Sequence, residues 1–561
     1  MVSNYLIFFL SYFLIVLSVI GHGFLAIKLL KINISNHEIG FVGLVGIFFL
    51  ILYSYLTHFF ISHGYFHNII FLSIGIISLY NFRNKVFNKQ NITYIFCVFS
   101  IIFLAFVIFK THDDFGYYHF PYSYYLNKFP MIIGIGPLNL GFRTPSSIFY
   151  LNSLFYFPYI EYYLYHISVI LIMGFSNIVL ISNIKNHLEK EKNNQFFFLN
   201  FLTFIFINIF FYRIAEHGTD RSAQILIFLF LIYILSLRGN YQNFEKILPK
   251  LIILLGIIIS IKSFYVLYLI FLIPFIYYLV LDKKKNLIPK TFNNSLFYIS
   301  IFLGVCVILV YFFNTGCLLY PIQQTCISAV EWAIPKTEVG ALNTHYQWWS
   351  KAGGGPGYRS PIEPETYIQN FNWLSNWIDR YFFNKVSDFL LSLTFVSVIL
   401  ILMFKSGKLK LKKNSFQHNA IYYYLVLLLF FEWFLQHPSL RYGGYIIISL
   451  IFFIPLSYFL SKYKIQNNFK LKVVSLCLLT VLIFLGRNID RIIYENKFYK
   501  ANFKENMFFF TDKIHFRIDD QLNKFSQNFQ DCNLDKGKCL NEKDFIIKKS
   551  NGKLIIIKSR N

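Results

Sequence analysis

Charge is scarce in this chain, and acidic charge scarcest: of 561 residues only 27 are Asp or Glu, and all charged residues together make up 14%. Soluble domains hold about a quarter charged residues, so a water-exposed surface of ordinary size is excluded. Methionine (5), tryptophan (6) and cysteine (7) are rare too. No Cys-x-x-Cys spacing occurs, which removes the usual zinc sites. No Gly-Lys-Ser or Gly-Lys-Thr follows a glycine-rich run, so there is no Walker loop. The first ten residues carry neither Lys nor Arg, so the opening apolar run reads as a retained span, not a cleaved signal.

What fills the chain instead is apolar and aromatic. Hydrophobic residues account for 56%, with 69 Phe and 41 Tyr, and mean hydropathy is +0.51. Runs long enough to cross a bilayer recur from Tyr5 to Leu485. They fall near 5–26, 41–59, 67–80, 93–109, 161–182, 196–212, 222–237, 250–261, 264–281, 295–313, 386–404, 418–436, 442–460 and 473–486. The expected fold class is therefore all-α, a polytopic bundle of about 14 spans over residues 1–486. Two large outer loops, 111–160 and 314–385, interrupt it, and a small outer region, 487–561, follows.

The basic residues orient this bundle. Seven alternate loops hold 24 of them, from Lys28 and Lys31 to Lys470 and Lys472, with the densest run at Lys405 to Lys413. The four short loops between them carry only Arg213, Arg221, Lys262 and Arg441. Cytoplasmic loops hold the Lys and Arg excess, so the two long loops and both termini are expected outside. Cysteines agree. Cys97, Cys306 and Cys477 lie within spans, whereas Cys317 with Cys326 and Cys532 with Cys539 form close pairs on the outer side. Disulfides are favoured there over free thiols, as in an oxidising exterior. The net charge of +25 is thus an anchor against an anionic leaflet, and its scatter over many loops gives no nucleic-acid face.

Polar chemistry gathers on the outer side. Thr111-His112-Asp113-Asp114-Phe115-Gly116-Tyr117-Tyr118-His119 follows directly on a span. Asp113 and Asp114 admit two readings: adjacent carboxylates that raise one another's pKa and supply a general base, or an N-cap for a helix starting at Phe115. Pro145-Ser146-Ser147 before an apolar stretch to Ile160 predicts a helix lying on the membrane surface. Arg143 meets either a phosphate or lipid headgroups. In the second loop, Trp373 and Trp377 read as interfacial anchors, and Trp348 and Trp349 as lid or substrate contacts beside the glycine-rich Lys351–Arg359. Asp220, Lys262 between two apolar runs, and Glu432, His437 and Arg441 near another turn complete the set. Glu432 and Arg441 could pair with each other alone. His112, His119, His217 and His437 show no metal-ligand spacing.

At these residues the chain resembles the GT-C class of membrane glycosyltransferases, and more narrowly a bacterial family of that type. The likeness rests on Asp114-Phe115-Gly116-Tyr117-Tyr118-His119, similar to an Asp-x-Gly-x-Tyr-His pattern. Gly136 to Ser147, Asp220, Lys262, Leu319-Tyr320-Pro321, Glu331-Trp332-x-x-Pro335 and His437-Pro438-x-x-Arg441-Tyr442-Gly443 add to it. Glu331 departs from the family's usual Asp, and nothing from Arg487 onward has a counterpart. The resemblance implies transfer of a sugar from a polyprenyl-phosphate donor to a glycan, lipid or protein acceptor on the outer face of a bacterial inner membrane. It implies Asp114 as the catalytic carboxylate, with Asp113 and Asp220 supporting it or holding a divalent cation (Mg or Mn), common but not universal in the class. Lys262 and Arg441 would face the leaving phosphate; His119, Arg143, Trp348 and Trp349 would contact substrate. Two other classes compete: an O-antigen-type polymerase or ligase, and a lipid-linked sugar flippase or transporter. Against transport, no internal repeat is found and the polar residues sit at the boundary, not the midplane.

Overall fold

The computed structural model describes residues 2–35, 38–86, 88–189, 195–237, 241–353, 362–405, 415–463, 468–501, 545–550 and 553–558. Among them, ten helices are long and apolar enough to cross a membrane. The other four expected spans are also helices. Tyr65–Asn81, Gln195–Phe210 and Ala420–Gln436 are shorter, and Phe244–Ile261 carries Glu245, Lys246 and Lys250 in its first two turns. An integral, multi-pass membrane protein is the result.

Small residues set the tightest packing. A Cβ on Gly21 would overlap the Gly75 carbonyl, and one on Gly46 the Val19 carbonyl. Val2–Leu29 therefore sits directly against both Tyr65–Asn81 and Ile39–His58, since close backbone approach substitutes for a hydrophobic driving force within lipid.

The first outer loop is tied to the bundle along its length. At its root, Arg491 donates to the Leu104 and Val107 carbonyls at 2.7 and 2.8 Å, and Glu495 accepts from the Phe109 amide at 2.9 Å. Further on, Asn127 Nδ2 donates to the Ser153 and His63 carbonyls. Ser146 caps helix Ser147–Ser153, its hydroxyl accepting from the Ile148 amide at 3.2 Å. That helix does not lie on the membrane surface as expected. Ile148, Phe149, Tyr150 and Leu151 are all buried, because the loop folds inward and presents apolar residues on every side of so short a helix.

In the second loop a disulfide joins Cys317 and Cys326, and helix Lys336–Lys351 follows. Trp373 and Trp377 are not interfacial anchors. Both are buried, packed on Phe434, and the Trp377 indole donates to the Pro438 carbonyl at 2.8 Å. Helical structure already begins at Leu374, so these rings are core, not boundary. Cys532, Cys539 and residues 354–359 of the expected lid lie outside the described residues.

The C-terminal boundary also differs from the expected one. The last span continues unbroken as Phe469–Tyr499, past residue 487. A hairpin, Phe545–Ser550 with Lys553–Lys558, then adds to the first outer loop: Ile133 donates to the Leu554 carbonyl and accepts from the Ile556 amide. The described end of the tail is thus part of the outer-loop layer.

Candidate functional site

Four interruptions of regular helix converge on one cavity. The first is Phe115–His119, a π-helical turn that opens directly after Asp114. The second is Gly218, whose φ of 7° and ψ of −74° kink the chain two residues before Asp220. The third is Lys262, extended between the end of Phe244–Ile261 and the 3-10 turns of Ser263–Phe271. The last is the turn Leu440–Tyr442, ended by Gly443 at φ 101°, a left-handed conformation that favours glycine. Irregular backbone at membrane depth persists only where protein or a water-filled cavity receives its polar groups. Here it lines a cavity of about 500 Å³.

Each interruption delivers a charge. Arg441 Nη2 donates to Asp114 and its Nε to Asp220 Oδ2 at 3.2 Å, while Lys262 Nζ pairs with the other Asp220 oxygen. Gln224 fixes the arginine's backbone, donating to the Arg441 carbonyl at 3.0 Å. Asp220 is buried, with side-chain exposure of 7%, against 25% for Asp114, 23% for Lys262 and 34% for Arg441. Asp220 therefore anchors both cations from below, and Asp114 stands at the cavity wall. Arg441 pairs with these aspartates and not with Glu432, which lines the cavity separately.

The electrostatics follow from that order. Burial works to raise the Asp114 carboxyl, but a hydrogen bond to His112 and the Arg441 guanidinium outweigh it, leaving it well below the usual carboxylate range. His112 Nδ1 lies 3.1 Å from the Asp114 amide and 3.3 Å from its carboxylate. One nitrogen can accept from the first or donate to the second, not both; with either arrangement Arg441 keeps Asp114 ionised. His119 is pushed down to about 3 by burial, with Lys262 and Arg441 adding to the effect and Asp114 opposing it, so it is neutral at pH 7. No capping bond from the Asp114 side chain is made.

The other expected site residues divide. His119 and Trp349 line the cavity. Asp113 is exposed and is not part of its lining. Arg143 is buried and spent on protein partners: the Gly136 carbonyl, the Tyr320 hydroxyl at 3.0 Å and Glu338 at 2.6 Å. It is not part of the cavity lining, and its bonds to Tyr320 and Glu338 staple the two long loops together. Trp348 stacks obliquely near His345, with 5.6 Å between ring centres. Glu331 is exposed and pairs with Lys548 of the hairpin at 3.5 Å. Residues the sequence reading passed over are Tyr268, Tyr311, Asn343, His345 and Tyr346, all in the wall. The sequence signal for the last three was the polar helix Lys336–Lys351 bearing aromatics beside the predicted lid.

The donor set does not suit a metal centre. Among the described residues no three His, Cys, Asp or Glu side chains gather to hold an ion, and Arg441 occupies the position between the two aspartates. What the arrangement can do is bind an anion at Lys262 and Arg441 and present an ionised carboxylate beside it, within aromatic walls. No curated protein and no solved structure matches the chain. One family model does, over residues 5–448, a stretch that contains every charge of the site, and by that match the chain belongs to the family described as "Domain of unknown function (DUF8201)".

Proposed function

We propose that the protein is a membrane glycosyltransferase of GT-C type, with all 14 apolar segments acting as spans. It moves a sugar from polyprenyl phosphate to an acceptor hydroxyl on the outer face, in cell-surface glycoconjugate synthesis. One observation carries the reading: Asp114, Lys262 and Arg441 share one aromatic cavity. The oxygen of the acceptor attacks the anomeric carbon while its proton passes to Asp114. The bond from that carbon to the phosphate oxygen breaks, and the electron pair leaves with polyprenyl phosphate. Lys262 and Arg441 compensate the departing charge, which is where fixed cations accelerate a reaction most.

A carboxylate held far below the working pH is a weak base, and the His112 hydrogen bond together with the Arg441 guanidinium holds Asp114 there. A donor phosphate drawing the guanidinium toward itself relieves part of that restraint, so Asp114 gains proton affinity as the donor seats. Base strength is thereby coupled to occupancy. Rings such as Tyr117, Tyr346 and Trp349, all lining the cavity, offer faces to a sugar. The test is a screen of polyprenyl-phosphate sugars with purified protein in lipid, wild type against Asp114→Asn. Donor consumption by the wild type alone supports the reading. If neither form consumes any donor while vesicles loaded with lipid-linked sugar show protein-dependent flipping, transport replaces it.

A further inference from the structure

Asp220 and Arg221 are adjacent, yet they serve different cavities. Asp220 holds Lys262 and Arg441, whereas Arg221 lines a second cavity of about 580 Å³ with Arg213, Lys385, Arg487 and a single carboxylate, Asp388. The four cations share one end. Arg487 Nη1 donates to the Ile209 carbonyl at 2.7 Å and its guanidinium lies 3.8 Å from the centre of the Tyr212 ring. Arg221 Nη1 reaches the Arg213 carbonyl at 3.4 Å. Arg213 pairs with Glu216; among the described residues Arg221, Lys385 and Arg487 have no carboxylate within ion-pair distance.

From that end the walls turn apolar, with Ile209, Phe395, Ile399, Leu476, Leu479 and Ile483 leading away along three helices. Phe395 and Leu479 are 67% and 50% exposed, so the groove opens sideways, where acyl chains would lie. A cation cluster at the outer boundary above an open apolar groove has the charge and the polarity order of one molecule class.

We infer that this groove is a binding site for a phosphate-bearing lipid, its phosphate among Arg213, Arg221, Lys385 and Arg487 and its chain along Ile399 and Leu479. The guanidinium forks and the ammonium match phosphate oxygens by charge-assisted hydrogen bonds. The site is separate from the cavity of Asp114 and needs no glycosyl transfer to exist.

Native mass spectrometry of the full chain from micelles containing phosphatidylglycerol and phosphatidylcholine tests it. Wild type should retain phosphatidylglycerol in preference. Lys385→Gln with Arg487→Gln, both exposed positions, should lower that retention at least fivefold, and Ile399→Trp, which fills the groove and leaves every cation in place, should do the same. Lys283→Gln, an exposed lysine of an opposite loop, should change nothing. Displacement by added polyprenyl phosphate would identify the carrier lipid as occupant, and resistance to it would identify a phospholipid; both outcomes support the site. Equal retention of phosphatidylcholine, unchanged retention in both groove variants, or full displacement by millimolar inorganic phosphate would overturn it.

Discussion

Arg441 donates to the carboxylate of Asp114, 327 residues away in sequence. That contact lies within the family-matched region and, with the hydrogen bond from His112, keeps the proposed base ionised. Removing it should therefore be read in a pH profile before it is read in a rate. With Arg441 present, the Asp114 carboxyl is depressed in the folded protein. Its stabilising contribution is fully present above the unfolded value of about 3.9 and is lost only as pH falls through the lower folded value. Asp114 should thus contribute no acid transition between pH 7 and 4 in the wild type. In Arg441→Gln the carboxyl keeps its hydrogen bond from His112 but loses the guanidinium, so it should rise toward the ordinary range and the acid limb should move up in pH. Measuring transfer rate or donor binding from pH 4 to 8 checks this; superimposable profiles for the two proteins would refute the coupling.

Acid sensitivity should instead come from histidine. His119 and His437 are lowered by burial to about 3 and about 4, against an unperturbed value of about 6.5. Between those limits the unfolded chain binds more protons than the folded one, so stability falls as pH drops below about 6.5. The melting temperature in detergent should decline from pH 7 to pH 4, and less steeply in a His119→Gln, His437→Gln double variant. Identical slopes would assign the acid limb to other groups.

Asp114→Asn and Asp113→Asn should separate sharply. Asn at 114 keeps size and loses the charge that faces Arg441, so turnover should fall about 100-fold or more while membrane abundance stays close to wild type. Asp113 is exposed, so its variant should stay within about twofold. Product formation normalised to protein in the membrane is the measurement, and wild-type turnover by Asp114→Asn would remove Asp114 from the chemistry.

The sequence was legible wherever physics acts locally. Apolar length marked the helices. Asp114, Asp220, Lys262 and Arg441 stood out because each is a charge beside apolar chain, and the fold brings all four together. What was not legible depended on partners far along the chain. Arg143 looks like any loop arginine until Glu338 and Tyr320 close on it. Trp373 and Trp377 read as boundary residues because tryptophan's chemistry suits a boundary, and only packing against Phe434 makes them core. The tail hairpin did have a signal: Asn551-Gly552 between Phe545-Ile546-Ile547 and Leu554-Ile555-Ile556 is the strongest short hairpin pattern.

The Cys317–Cys326 disulfide closes a short loop that carries Tyr320, the partner of Arg143. Chain-entropy arguments give such a loop about 2–3 kcal/mol. Thiol-blocked mass spectrometry of freshly extracted protein should find the two cysteines joined. Cys317→Ser with Cys326→Ser should lower the melting temperature by several degrees. Two alkylated thiols in the wild type would place this loop in a reducing environment and reverse the assigned orientation.

The root of the loop that carries Asp114 rests on one buried ion pair. Arg491 and Glu495 are buried one turn apart and paired at 3.0 Å. Between them they satisfy the Leu104 and Val107 carbonyls and the Phe109 amide, where the chain leaves helix Lys89–Phe106 for Asp114. Arg491→Ala leaves a buried carboxylate unpaired and two carbonyls without their donor, so it should cost about 3–5 kcal/mol. A structural role alone predicts that replacing both by apolar residues, Arg491→Met with Glu495→Leu, recovers much of that loss. A positioning role adds that turnover stays depressed in the recovered protein, because the Phe109 amide still lacks its acceptor and Asp114 is no longer held at the cavity wall. Melting temperature and turnover should therefore part company in the double variant. If activity returns in step with stability, the pair only holds the bundle together and the loop finds its place without it.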